Sequence, residues 1–174
     1  MTRNDLAAAI FKSSYLRGDF KLRSGQKSNE YFDKYRFEAD PEILVEIAKK
    51  MTPLVPKGTQ VLAGLEMGGI PIATALSIET GLPVCFVRKA AKEYGTMKLA
   101  EGTDIAGKKV CIIEDVITTG GQVIESVKAL RQGKAEIANV LCVIDREQGG
   151  RDKLQDVQLW LHPLFLMSEL KASV

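Results

Sequence analysis

Short apolar runs recur along the chain and are separated by polar or glycine-rich segments. The clearest runs are VLAGL, PVCFV, KVCIIE and NVLCVID, at residues 61–65, 83–87, 109–114 and 139–145. Each has the length of a strand and lacks the strict alternation of apolar and polar residues that a half-exposed strand shows. The pattern therefore predicts strands that are buried on both faces.

Helical periodicity lies between these runs. Asp40 and Pro41 are typical of a helix N-cap and first helical position, and the apolar residues after them predict a helix over residues 41–52. A further helix, over residues 121–132, is predicted by the spacing of Val123, Ile124, Val127 and Leu130. Strands that alternate with helices predict an α/β fold, with a parallel sheet covered on both sides.

The first part of the chain has a different pattern. The segment FKLRSGQKSNEYFDKYRF, residues 20–37, carries turn residues between two segments with aromatic side chains, and predicts a hairpin or small flap outside the core sheet. No low-complexity linker divides the sequence. We therefore expect one domain over residues 1–174, with an N-terminal helix and flap in about 1–38 and the α/β core in about 39–174.

Composition narrows the possible partners. The chain has 24 Lys and Arg residues and 22 Asp and Glu residues, so its formal net charge is only +2. A charge of this size does not indicate sequence-independent nucleic-acid binding. The chain has no apolar run of membrane-spanning length and no signal-peptide pattern, so we expect no membrane association and a cytoplasmic location. Its three cysteines lie in apolar runs without metal-ligand spacing and are predicted to be core thiols.

Candidate chemistry is concentrated in VCIIEDVITTGG, residues 110–121. If the strand ends at Glu114, then Glu114 and Asp115 begin a turn at the carboxyl end of a parallel strand, where open α/β sheets bind ligands. Their carboxylates are predicted to point into a crevice. The following residues 118–121 offer hydroxyls and backbone N–H groups to a phosphate at a helix N-terminus. The combination favours a phosphorylated sugar, and a capped helix behind two solvated acids is the alternative.

This stretch resembles the 5-phosphoribosyl 1-pyrophosphate (PRPP) signature of the type I phosphoribosyltransferases. Residues 20–33, 88–102 and 145–150 resemble segments of the orotate phosphoribosyltransferases in the same order, so the likeness covers nearly the whole chain. It implies a type I phosphoribosyltransferase-like fold, a parallel sheet flanked by helices with a small N-terminal flap or hood. The implied reaction transfers ribose 5-phosphate from PRPP to N1 of orotate, giving orotidine 5′-monophosphate and pyrophosphate, a step of pyrimidine biosynthesis.

The resemblance assigns PRPP binding to three loops. Residues 64–77 are similar to the family's pyrophosphate-binding loop, in which backbone N–H groups contact the leaving group, but Met67 and Gly68 stand where some orotate enzymes have a lysine. The PRPP-binding residues implied by the resemblance are Glu114, Asp115, Val116, Ile117, Thr118, Thr119, Gly120, Gly121, Arg88, Lys89, Lys92, Met67 and Gly68.

Residues 88–102 have the composition of a mobile, basic loop around Gly95. The similar loop of the family reaches into the neighbouring subunit's site, which implies a homodimer that exchanges residues 88–102. The resemblance places Lys92 and Tyr94 at the catalytic tip of this loop, and Glu114 and Asp115 complete the implied catalytic set. Tyr94 replaces a histidine of some family members and does not titrate near neutrality unless its pKa is strongly shifted. A solvated basic loop is the alternative.

Recognition of orotate is implied at the ends of other segments. Arg146 matches the arginine that pairs with the orotate carboxylate, a task suited to a planar guanidinium. The alternative is a surface arginine paired with Asp145 or Glu147. Thr118 is expected to touch the base as well.

The flap supplies the remaining implied contacts with orotate. Tyr31 and Phe32 match an aromatic pair that lies against the pyrimidine, with ordinary core packing as the alternative. Arg23 stands where the family usually has a lysine before Ser-Gly, which keeps the charge and changes its geometry.

Magnesium is the implied cofactor. It would bridge the pyrophosphate and ribose hydroxyls of PRPP, because this ion prefers phosphate oxygens and water to a full protein cage, so no direct protein ligand is assigned. Two other functions remain open at this point: a purine phosphoribosyltransferase, and a PRPP-sensing regulator without enzyme activity, since one fold supports several functions.

Overall fold

The structure, a computed structural model, describes residues 1–21, 25–90 and 99–174. The helices are α1 (Arg3–Ser14), α2 (Tyr35–Glu38), α3 (Pro41–Met51), α4 (Gly69–Thr80), α5 (Gly121–Gln132), α6 (Gly150–Gln155) and α7 (Met167–Ala172). The strands are β1 (Tyr15–Lys21), β2 (Lys27–Phe32), β3 (Val61–Leu65), β4 (Val84–Val87), β5 (Ala100–Gly102), β6 (Lys109–Ile117), β7 (Glu136–Asp145) and β8 (Trp160–Leu166).

Within the described ranges, six strands form the central sheet in the order β5-β4-β3-β6-β7-β8. Neighbouring strands are parallel except for the short antiparallel pair of β4 and β5. The four strands predicted from apolar runs are confirmed as β3, β4, β6 and β7. The parallel core of the sheet therefore brings the carboxyl ends of these strands to one edge.

Strand β6 is longer than predicted. Val116 and Ile117 continue the parallel ladder opposite Ile144 and Asp145 of β7, so the strand does not end at Glu114. The prediction that the two acids belong to the following turn is therefore wrong. They lie inside the last part of the strand, where adjacent side chains point to opposite faces of the sheet.

Helices cover both faces of the sheet, as predicted. Leu62 packs with apolar residues of α1, α3, α4 and α7 on one face, whereas its neighbours Val61 and Ala63 pack with α5 and α6 on the other. The three cysteines are buried in these two clusters, which confirms the prediction of core thiols. Among the described residues, no helix has the length and apolar character needed to cross a membrane.

The N-terminal flap is an antiparallel hairpin of β1 and β2, separate from the central sheet. It returns to the core at Asp33, whose backbone N–H donates to the Ser14 carbonyl oxygen at 2.8 Å. Helix α2 follows directly and leads into α3, where Asp40 Oδ1 accepts hydrogen bonds from the backbone N–H groups of Glu42 and Ile43. The predicted helix over 41–52 and its cap are thus confirmed, with the last helical residue at Met51.

Candidate active site

A cavity of about 440 Å³ opens at the edge of the sheet where β3, β6 and β7 end. Parallel strands place their carboxyl ends together, and ligands of open α/β sheets bind at such an edge. The cavity is lined by Tyr31, Phe32, Lys34, Tyr35, Glu66, Met67, Lys89, Glu114, Val116, Ile117, Thr118, Thr119, Gly120, Gly121, Gln122, Val123 and Arg146.

The turn between β6 and α5 forms one wall. Thr118 and Thr119 are exposed, and Gly120 is the N-cap of α5 with φ 75°, in the left-handed region that glycine adopts without strain. The first backbone N–H groups of a helix lack partners within that helix and carry its positive dipole end. This wall therefore presents hydroxyls and N–H groups together, the arrangement for which the sequence predicts phosphate binding.

The two acids of β6 do not share the cavity. Glu114 lines it, and its Oε1 accepts a hydrogen bond from the Asp115 backbone N–H. The Asp115 side chain has no exposed surface and forms an ion pair with Lys34, with 2.6 Å between Oδ2 and Nζ. The expectation that both carboxylates point into the crevice holds for Glu114 and is wrong for Asp115, because the Asp115 carboxylate is buried and paired with Lys34.

Raised pKa values and an ion pair limit the negative charge of the three acids Glu38, Glu114 and Asp115. Burial and the nearby Asp115 carboxylate raise the pKa of Glu114 well above its ordinary value. Burial and Asp115 likewise raise the pKa of Glu38 to about 9. Burial alone would raise the pKa of Asp115, but the nearby Glu114 and Glu38 side chains together with Lys34 hold it below its ordinary value. The ionised form is therefore favoured most at Asp115, whose charge Lys34 balances.

The loop between β3 and α4 forms another part of the cavity wall. Met67 is 59% exposed and lines the cavity, whereas Gly68 is buried behind it. A β-carbon at Gly68 would overlap the Asp115 carboxylate and lie 2.8 Å from Glu38 Oε1. Gly68 thus provides the space in which these acids meet, which is a packing requirement separate from the backbone contact with pyrophosphate implied by the sequence.

The predicted basic loop is placed only at its ends. Arg88 lies 3.6 Å from Glu101 in an ion pair, and Lys89 lines the cavity, with its backbone N–H donating to Glu66. Lys92 and Tyr94 lie outside the described residues, as does Arg23 of the flap. Their catalytic and binding roles stay predictions, as does exchange of the loop between subunits.

Arg146 follows β7, and its backbone N–H donates to the Ile117 carbonyl oxygen at 2.9 Å. Its side chain lines the cavity, and its buried Nε has no hydrogen-bond partner in the described part of the chain. The two acids named as alternative partners contact other residues. Asp145 Oδ2 lies 3.8 Å from Arg151 Nη2, and Glu147 accepts hydrogen bonds from the backbone N–H and hydroxyl of Ser168. The guanidinium is therefore available to an anionic ligand.

The flap supplies two aromatic side chains to the cavity, which differ in exposure. Tyr31 is 44% exposed, and its ring lies 5.5 Å from that of Phe20 between centroids. Phe32 is half-buried, packs against the core and lies 6.4 Å from the Phe11 ring. Both residues line the cavity, so core packing accounts for part of Phe32, whereas Tyr31 presents its ring to the open space.

The sequence did not indicate that Glu38 is a buried acid, nor that the cavity is also lined by Lys34, Tyr35, Glu66, Gln122 and Val123. Lys34 and Glu38 are four residues apart with opposite charges, a spacing that places side chains on one side of a helical turn. This spacing could have indicated that Lys34 and Glu38 lie close together. The contact of this pair with Asp115, far along the chain, had no sequence signature.

The acids of the site also bear on magnesium. In the described ranges, no group of three or more His, Cys, Asp or Glu side chains could hold a metal ion. Asp115 is fully buried and paired with Lys34, and Glu114 lines the cavity with a raised pKa. This donor set fits an ion that arrives on phosphate oxygens better than one held in a protein cage.

The family model of the phosphoribosyl transferase domain matches residues 36–161. The chain belongs to the phosphoribosyltransferase family. Orotate phosphoribosyltransferase of Nocardioides sp. is 54% identical over 97% of this chain and 94% of its own, and that of Methanocella arvoryzae is 44% identical over 88% and 87%. A solved structure of orotate phosphoribosyltransferase from Mycobacterium tuberculosis H37Rv in complex with PRPP has a TM-score of 0.84 at 27% identity, covering 97% of this chain and 98% of that one.

Proposed function

We propose that this chain is an orotate phosphoribosyltransferase, which transfers ribose 5-phosphate from PRPP to N1 of orotate. The observation that carries the proposal is that one cavity combines an anion site at the start of α5 with the available guanidinium of Arg146. The first suits a sugar phosphate and the second a carboxylate. The relatives named orotate phosphoribosyltransferase cover nearly the whole chain, which favours orotate over a purine base.

PRPP binding is supported by the charge balance of the cavity. PRPP is strongly anionic, and a site with several ionised carboxylates would repel it. Here the raised pKa values of Glu114 and Glu38 favour the neutral form of both acids, and Lys34 balances the charge of Asp115. Glu114 can then exchange hydrogen bonds with ribose hydroxyls as donor and acceptor, while the turn at residues 118–121 holds the 5′-phosphate.

Orotate would bind between Arg146 and the flap. The guanidinium offers two parallel N–H groups to the carboxylate, and Tyr31 offers an exposed aromatic face to the pyrimidine ring. Thr118 lies on the same wall and can contact the base. Uracil lacks the carboxylate and would leave Arg146 without its partner.

The reaction breaks the bond between the anomeric carbon and the pyrophosphate oxygen and forms a bond from that carbon to N1 of orotate. Both substrates need only placement and charge stabilisation, since orotate N1 reacts as a deprotonated nucleophile. Magnesium bound to PRPP would neutralise the leaving pyrophosphate. We further propose a homodimer in which Lys92 and Tyr94 of one subunit reach the other subunit's site.

Release of pyrophosphate from PRPP tests the proposed function directly. Purified protein is assayed with magnesium and PRPP and with orotate, uracil, adenine or hypoxanthine as the acceptor. We expect rapid release of pyrophosphate only when orotate is the acceptor. Release with adenine or hypoxanthine would instead support the purine enzyme, and binding of PRPP without release with any base would support the sensor.

A further inference from the structure

Lys34 lies between the buried Asp115 carboxylate and the cavity. Its side chain is 33% exposed and lines the cavity, whereas the Asp115 side chain is fully buried and does not line it. The 2.6 Å contact between Nζ and Oδ2 is an ion pair without regular hydrogen-bond geometry. A ligand in the cavity therefore meets the ammonium group before it can meet Asp115.

The surroundings of Asp115 hold it in this orientation. Its Oδ1 accepts a hydrogen bond from the Val116 backbone N–H, and the absence of a side chain at Gly68 leaves space for the carboxylate in this position. Glu38 Oε1 is buried at the same point and accepts no hydrogen bond from the described residues. The Asp115 carboxylate is thus a negative charge held in a fixed position next to the Lys34 ammonium group.

An ammonium group has three N–H donors, and its pairing with Asp115 leaves donors directed away from that carboxylate. Burial opposes the charged form of Lys34, but the attraction of Asp115 outweighs it and raises the pKa of Lys34. The cation is therefore maintained in a partly desolvated wall, where its attraction for an anionic ligand is stronger than in water.

We propose that Lys34 is a PRPP-binding residue whose ammonium is held at the cavity wall by Asp115. The inference rests on the proposed function and deepens it, because it gives Asp115 an indirect role through Lys34 in place of direct contact with ribose. It also adds a cation to a cavity whose loop between β3 and α4 contains Glu66, Met67 and Gly68 and no cation.

Steady-state kinetics of Lys34→Met test the proposal. We expect the KM for PRPP to rise about tenfold or more, as for the loss of one charge-assisted contact, while the KM for orotate changes less than twofold. Lys34→Arg keeps the charge and should raise the KM for PRPP by a smaller factor. Lys57→Met, at an exposed lysine before β3, is the matched control and should leave both constants unchanged.

A double-mutant cycle separates this role from a structural one. If Asp115 acts by holding Lys34, then Lys34→Met combined with Asp115→Asn should have a KM for PRPP within about threefold of Lys34→Met alone, because coupled residues are not additive. If the KM for PRPP of the double variant instead rises by the product of the increases in the two single variants, the proposal is overturned. If Lys34→Met does not fold because Asp115 is left buried without its cation, the double variant is compared with wild type, and an unchanged KM for PRPP overturns it.

Failure of this inference differs from failure of the proposed function. Wild-type protein that releases no pyrophosphate from PRPP with orotate contradicts the function and with it the inference. Active wild-type protein whose Lys34→Met variant is folded and keeps its KM for PRPP contradicts the role of Lys34 alone.

Discussion

At the scale of single residues, the acids around Asp115 determine how much negative charge the site carries. The sequence predicted that Glu114 and Asp115 follow a strand and both face the ligand, whereas both lie within β6 and only Glu114 lines the cavity. The sequence could not show this difference, because it depends on the length of β6 and on Lys34, which reaches Asp115 from a distant segment. The charged state of each acid follows from these contacts and is therefore a property of the folded chain.

The raised pKa of Glu38 predicts a pH dependence of stability. Its pKa is about 9 in the folded state against an ordinary 4.5, so the folded protein binds more protons between these values. The contribution of the protonated group is complete below about pH 4.5 and is lost as pH rises towards 9, by at most about 1.4 kcal/mol per pH unit. Glutamine keeps a neutral side chain at every pH.

Unfolding of wild type and Glu38→Gln in urea between pH 5.5 and about 8.5 measures this effect. We expect the free energy of unfolding of wild type to fall relative to that of Glu38→Gln as pH rises. Glu125→Gln, at an exposed acid on α5, controls for the loss of a carboxyl group. A constant difference between wild type and Glu38→Gln over this range would show that Glu38 is ionised throughout.

At the scale of elements, the strands and helices that were predictable are those with a buried apolar pattern. Strands β3, β4, β6 and β7 and helices α3 and α5 follow from periodicity and capping residues alone. Strand β5 has three residues at the sheet edge, and β8 contains His162 and Pro163, so neither has a clear strand pattern. The position of the cavity follows from the parallel order of the strands, which the alternation of elements predicts.

The loop between β3 and α4 gives a prediction at this scale. In Gly68→Ala, the added β-carbon would overlap the Asp115 carboxylate, so the loop or the Asp115–Lys34 pair must shift. We expect the KM for PRPP to rise by about tenfold or more, with a smaller change for orotate. Steady-state kinetics measure both constants, and thermal unfolding controls for loss of the fold. An unchanged KM for PRPP would mean that the loop adjusts without disturbing the site.

At the scale of the whole molecule, the proposed exchange of the basic loop requires two chains for each complete site. Lys92 belongs to the loop and Arg146 to the cavity, so subunits carrying Lys92→Ala and Arg146→Ala should complement each other when mixed. Random pairing makes about half of the dimers mixed, each with one intact site, so about a quarter of wild-type activity should return at low orotate concentration.

The outcome depends on subunit exchange, which is followed with differently labelled chains. Each variant alone should have little activity at the same low orotate concentration. If exchange is complete and activity does not return, each site is built from one chain, and the proposal of an exchanged loop is wrong. The assignments of PRPP and orotate to the cavity would stand in that case.

In the proposed function, one cavity receives PRPP and, through Arg146, the carboxylate of orotate. The most direct test is the ratio of kcat/KM for orotate to that for uracil, measured in wild type and in Arg146→Ala, with Arg151→Ala as a control whose guanidinium faces Asp145. Removing one partner of a buried charge pair costs about 2 to 5 kcal/mol, so the ratio should fall by a factor of about thirty or more in Arg146→Ala while the KM for PRPP is nearly unchanged. A ratio that is the same in Arg146→Ala and wild type would contradict this proposal.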